Sequence, residues 1–230
     1  MESVLDRVIK QNTENVNLLK TKDYNIFSVL QIQSKEVLIC RMIADLLNPR
    51  GQHGAGAEYL KIFLRDCLGM EKMDTKLADQ AIVTAEYAID DERRIDIVIE
   101  IGSYFLPIEV KIYAADQKSQ CFDYYQYAKR RDAQAKVYYL TLDGHRPGKD
   151  STSSGNRSVT EEDIVCLSFR EHILNWLKAC KNCGNTGMIP ILEQFIHNIE
   201  QISGYTSEKV RNMVIDELLK SGDSLRAGMQ

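Results

Sequence analysis

The 230-residue chain has no run of 18 apolar residues, which excludes a membrane-spanning helix of ordinary length. Its first twenty residues, MESVLDRVIKQNTENVNLLK, carry acids early and no continuous apolar stretch, so they do not read as a secretory leader. The expected location is cytoplasmic, with no membrane partner. An excess of positive charge is also lacking. With 29 Lys and Arg against 33 Asp and Glu the net charge is −4, which argues against coating a polyanion by bulk electrostatics. Any such contact has to be local, and the candidates are KRRDAQAK (129–136) and the segment carrying Arg146, Lys149 and Arg157. Cys180 and Cys183 form one C-x-x-C with no second pair or His partner at zinc spacing, so the six cysteines read as reduced thiols. The glycines of NPRGQHGAG are not followed by Lys-Ser/Thr, which removes a phosphate-binding loop. No internal repeat or low-complexity tract appears. What remains is a globular chain, 44% apolar and 27% charged, long enough for one core. The expectation is one domain over 1–230, with a core over about 25–170 and a helical extension over 171–230.

The most informative stretch is RIDIVIEIGSYFLPIEVKI, residues 94–112. Ile95, Ile97, Ile99 and Ile101 alternate with Arg94, Asp96, Val98 and Glu100, which is the period of a strand. Leu106, Ile108, Val110 and Ile112 repeat the pattern against Phe105, Pro107, Glu109 and Lys111. Gly102-Ser103 between them suits a two-residue type II′ turn. Cross-strand partners then have numbers summing to 205, and Asp96 stands opposite Glu109. Like charges so placed repel and call for a cation. Lys111 projects from the same side as Glu109 and supplies part of it, and two hard oxygen ligands are also how proteins hold Mg²⁺. Alternation alone supports two readings equally: half of a metal site, or a solvated strand face with a Lys–Glu ion pair.

Around this pair the first 70 residues read as helical. Ser34 is a candidate N-cap for a helix running to about Leu47, with Val37, Leu38, Met42, Ile43, Leu46 and Leu47 on its apolar side. A second helix covers roughly 56–68. Three strands follow over 81–112, then a helix over AADQKSQCFDYYQYAKRR, a strand KVYYLTL, a Gly/Ser-rich loop expected to be mobile, a strand DIVCLSF, and further helices. In one of these, ILEQFIHNIEQI, Ile191, Leu192, Phe195, Ile196 and Ile199 share a side. Gln117, Gln120 and Tyr124 fall on one stripe of the helix after the hairpin.

A buried Asp, a Glu-x-Lys on the next strand and a Gln-x-x-x-Tyr helix, in that order, resemble the PD-(D/E)XK nuclease superfamily. The likeness is closest to a bacterial group with a leading Glu-containing helix, here Glu36 followed by ADLLNPRGQHGAG, then IEVKI and AADQKSQ. The resemblance implies an α/β fold with a mixed central sheet. Its restriction-endonuclease-like αβββαβ core would be flanked by N- and C-terminal helices, in agreement with the strand order read from the residues. It implies an Mg²⁺- or Mn²⁺-dependent phosphodiesterase acting on nucleic acid, DNA in the first place and RNA or a non-catalytic binding module as the rivals, and it leaves room for a homodimer. Asp96, Glu109 and Glu36 would hold the metal. Lys111 would position or help deprotonate the attacking water and offset phosphate charge, and Gln120, Tyr124 and Gln117 would contact substrate. Ile95 stands where the superfamily has its Pro, and Ile39-Cys40 where this group has His-Ser.

Overall fold

A computed structural model describes residues 24–71, 74–183 and 185–205. The helical reading of 1–23 and the part of the expected extension over 206–230 lie outside the described residues. In chain order the elements are α1 (Ile26–Val29), α2 (Glu36–Leu47), α3 (Glu58–Asp66), α4 (Thr75–Ala78), β1 (Ile82–Ala88), β2 (Arg94–Ile101), β3 (Tyr104–Lys111), α5 (Gln120–Arg131), β4 (Val137–Thr141), α6 (Lys149–Thr152), β5 (Ser153–Ser154), β6 (Arg157–Ser158), β7 (Ile164–Ser168), α7 (Leu174–Cys180) and α8 (Ile189–Ile202).

Five strands form one sheet in the order β1-β2-β3-β4-β7. β1, β2 and β3 run antiparallel as a meander, and β4 and β7 add in parallel after the α5 crossover. This is the mixed α/β sheet expected from the residues. The β2–β3 turn is the two-residue loop read in the sequence: φ is positive at Gly102 (+57°) and not at Ser103, as a type II′ turn requires. The register follows, with Ile101 opposite Tyr104 and Ile97 opposite Ile108.

Both faces of the sheet are covered. On one, Ile97, Ile99, Ile101, Leu106, Ile108 and Val110 join a core with α2, α3, α7 and α8, in which Leu47, Phe63, Trp176, Leu177 and Phe195 are buried. Trp176 Nε1 donates to the Tyr59 carbonyl at 2.8 Å, which ties α7 to α3. The helices after residue 170 therefore belong to the main core. On the other face, Val98, Phe105, Tyr124, Ala128 and Val137 pack under α5.

Four local expectations change. α2 begins at Glu36 with Lys35, not Ser34, at its N-cap position, and it buries Ile39, Cys40, Ile43, Leu46 and Leu47 while Val37 and Leu38 lie exposed. Ile191 is likewise exposed on α8. α5 starts only at Gln120, after a left-handed Ser119, so 114–119 is extended chain and Gln117 is not on the helix. The Gly/Ser-rich segment is ordered as α6 and the β5–β6 hairpin. Its Ser151 hydroxyl accepts the Cys121 N–H at 3.3 Å, capping α5 where Ser119 does not.

Candidate active site

Ile95 does not follow the other isoleucines. It packs with Val98 and Phe105 on the α5 side. The cause lies next door, where Glu86 of β1 holds φ at +53° and the β1–β2 ladder skips the Glu86–Asp96 pair. The β2–β3 ladder stops at Ile97–Ile108. Asp96 is therefore the one residue of β2 paired with neither neighbour. Its carboxylate instead accepts the Val110 N–H at 2.7 Å, a donor the ladder would otherwise use.

That bond sets Asp96 beside Glu109 and Lys111, which flank Val110. Glu109 and Lys111 are 1% and 7% exposed, which removes the solvated-face reading. Lys111 Nζ lies 2.5 Å from Glu109 Oε1. Glu109 Oε2 is buried with no hydrogen-bond partner. Burial and the neighbouring Asp96 push the Glu109 carboxyl well above its ordinary range, against the pull of Lys111. Burial also raises Asp96, opposed by the Val110 N–H and Lys111. For Lys111, burial acts downward but Glu109, Asp96 and Glu36 outweigh it, and the amine is held above its usual value as an ammonium ion. Two carboxyl groups and one ammonium in a buried pocket are short of positive charge.

Glu36 reaches the same place from the opposite layer. From the first turn of α2 its Oε2 accepts the Ile112 N–H at 2.8 Å, which fixes the chain just past Lys111. Cys40, one turn along α2, is buried beside the cluster, and burial followed by Asp96, Glu36 and Glu109 drives its thiol pKa up. Among the described residues no group of three or more His, Cys, Asp or Glu stands ready as a metal cage. The residues that fit a cation are the pair Asp96 and Glu109, and the unpartnered Oε2 is the donor that lacks one.

α5 closes the pocket from its own side. Gln120 Nε2 donates to the Tyr124 hydroxyl at 3.1 Å, and that hydroxyl donates to the Arg94 carbonyl at 2.5 Å. Both side chains are buried. They hold the strand end two residues before Asp96. Gln117 lies outside this pair, exposed, its Oε1 accepting from Arg93 Nη1 at 2.7 Å.

A family model described as the PD-(D/E)XK nuclease superfamily matches residues 24–197. The chain belongs to the PD-(D/E)XK nuclease superfamily. Comparison with curated proteins and with solved structures returned no match. Membership in the superfamily implies a nuclease, a hydrolase whose substrate is nucleic acid. Two departures from a regular sheet, the positive φ at Glu86 and the unpaired Asp96, accompany the arrangement of Asp96, Glu109 and Lys111.

Two further residues hold the chain around the site. Arg93 donates to Asp123 Oδ2, Gln117 Oε1 and the Lys118 carbonyl, at 3.1, 2.7 and 2.6 Å. Asp116 accepts from the Tyr139 hydroxyl and the Gly148 N–H, both at 2.7 Å. Asp116 stands inside AADQKSQ, but only the fold brings Tyr139 and Gly148 to it. His53 is a structural residue: Nδ1 accepts from the Ala55 N–H, so Nε2 donates to the Asn48 carbonyl at 2.9 Å. A side chain at Gly51 would collide with that turn, its Cβ 2.2 Å from the Asp45 carbonyl. Within the two basic clusters, Lys129 pairs with Asp163, Arg131 with Glu100 and Arg146 with Glu161. All six cysteines are free thiols. Among the described residues no helix is long and apolar enough to cross a membrane.

Proposed function

We propose that the protein is a divalent-metal-dependent nuclease that hydrolyses DNA phosphodiester bonds. The observation that carries this reading is the half-buried Asp96 beside the buried Glu109, whose Oε2 has no partner. Mg²⁺ is commonly held by one or two carboxylates and completed by water and substrate phosphate, so this pair suits Mg²⁺ or Mn²⁺. Bound there, the cation supplies a lowered water pKa and charge stabilisation at the phosphate. Glu36 reaches the cation through water, since one of its oxygens is held by the Ile112 N–H. Lys111, whose ammonium form Glu109, Asp96 and Glu36 favour, donates to a phosphate oxygen and offsets its charge. Gln120 and Tyr124 position the strand end before Asp96 rather than touch substrate, and Gln117, exposed, is left for the backbone of the strand.

DNA is the substrate that the resemblance puts first; a metal-activated water attacks phosphorus on either polymer, so the choice between DNA and RNA is made by the assay. Supercoiled plasmid and a structured RNA of similar length, each with Mg²⁺, Mn²⁺ or EDTA, test the proposal. Nicking of the plasmid with either cation and none in EDTA is expected. Cleavage of RNA alone would correct the substrate, and cleavage of neither would remove the nuclease assignment.

A further inference from the structure

Tyr113 is 70% exposed, the most exposed large hydrophobic side chain among the described residues. It makes no hydrogen bond, ring contact or ion pair there. A single aromatic on a surface is ordinary, but the place of this one is not. It follows Lys111 by two residues, and its backbone is pinned on both sides. Upstream, the Ile112 N–H is bound to Glu36 Oε2. Downstream, Asp116 holds Tyr139 and Gly148, and Arg93 holds Gln117 and Lys118. Ala114 and Ala115, both exposed and small, leave the ring clear. A ring on a fixed backbone loses little entropy when something lies against it.

Charge is arranged beside it. The Ser119 N–H donates to the Asp150 carbonyl at 2.7 Å, bringing the residues next to these two, Lys118 and Lys149, onto neighbouring chains. Both lysines are exposed, and neither ammonium has an ion-pair partner among the described residues. Unpaired cations and an exposed aromatic face are the two components of single-strand recognition. A base inside a duplex has both faces covered by its neighbours and offers nothing to such a ring.

We propose that Tyr113 is the platform on which a nucleobase beside the scissile phosphate stacks, so that the site takes a DNA strand whose bases are unpaired there, as they are where negative supercoiling opens a plasmid locally. This rests on the nuclease reading above and names its substrate class. The test uses the full chain in EDTA, with labelled dT12 and a 12-unit abasic deoxyribose-phosphate strand as probes, read by fluorescence anisotropy. Tyr113→Ala should bind dT12 about 10-fold more weakly than wild type, Tyr113→Phe within about twofold of it, and the abasic strand equally in all three. Unchanged dT12 binding by Tyr113→Ala overturns the proposal, and so does an equal loss on the abasic strand. Because binding is read without metal, failure of the nuclease reading shows separately, as absence of cleavage of dT12 and of plasmid by wild type with Mg²⁺ or Mn²⁺.

Discussion

The Asp96 carboxylate accepts the amide N–H of Val110, the residue between Glu109 and Lys111, at 2.7 Å. A side chain of β2 thus takes a backbone donor of β3, and the two strands part where the charged residues need room. One hydrogen bond fixes Asp96 relative to both partners, and it is available only because Asp96 is released from both ladders. Four consequences can be measured.

Tyr124→Phe removes the hydroxyl that donates to the Arg94 carbonyl and accepts from Gln120. Loss of this partly buried hydrogen bond costs about 0.5–1.5 kcal/mol, so urea melts should shift by that amount. Cleavage should fall in kcat while the affinity for dT12 in EDTA is kept. Lost affinity with an intact kcat would make Gln120 and Tyr124 substrate contacts instead.

The Glu109–Lys111 pair is buried, and breaking one side leaves an uncompensated charge. Lys111→Met alone should therefore lose stability, by up to about 3–5 kcal/mol where the pH ionises Glu109 and by less where Glu109 takes up a proton. The double variant Glu109→Gln, Lys111→Met, neutral and of similar volume, should melt near wild type in EDTA. Both should lose metal-dependent cleavage by about 10³-fold or more. A double variant that melts as low as Lys111→Met, or cleaves at near wild-type rate, contradicts the arrangement.

Without metal, stability should fall as pH rises. The Glu109 carboxyl titrates above its unfolded value because burial and Asp96 disfavour its charged form. Its contribution is fully present below the unfolded glutamate pKa of about 4.3 and is lost as pH rises through the higher folded value. Urea melts in EDTA from pH 4 upward should show this decline in wild type and a shallower one in Glu109→Gln. Parallel curves for the two proteins would remove Glu109 as the cause.

A divalent cation should reverse that loss. At a hundred times its dissociation constant, Mg²⁺ or Mn²⁺ should stabilise wild type by ~2.7 kcal/mol, provided the unfolded chain does not bind it. For a chain of this size each kcal/mol moves Tm by roughly 2–4 °C. Glu109→Gln should lose most of the shift. Equal shifts in both proteins, or none in wild type, would leave the carboxyl pair without a metal.

The alternation over 94–112 and the Gly102-Ser103 turn were enough, by themselves, to set the β2–β3 pairing, because strand period and turn length are local properties and a two-residue loop permits one register. The same local pattern placed Asp96, Glu109 and Lys111 side by side, and their order with Glu36 and the Gln-x-x-x-Tyr segment was a sufficient sign of the superfamily. Period 2 says which side chains share a side of a strand, but not what covers that side. Only packing decided that Glu109 and Lys111 are buried, that Ile95 turns toward α5 once Glu86 adopts positive φ, and that Tyr124 and Gln120 point at Arg94 instead of outward. Only packing gave α5 its late start, since Ser151, 30 residues away, provides the cap that no neighbour in sequence supplies. The charges were written in the chain; the low-dielectric pocket that raises Glu109 and leaves one of its oxygens without a partner comes from elements brought together over long sequence distances, and local periodicity holds no record of them.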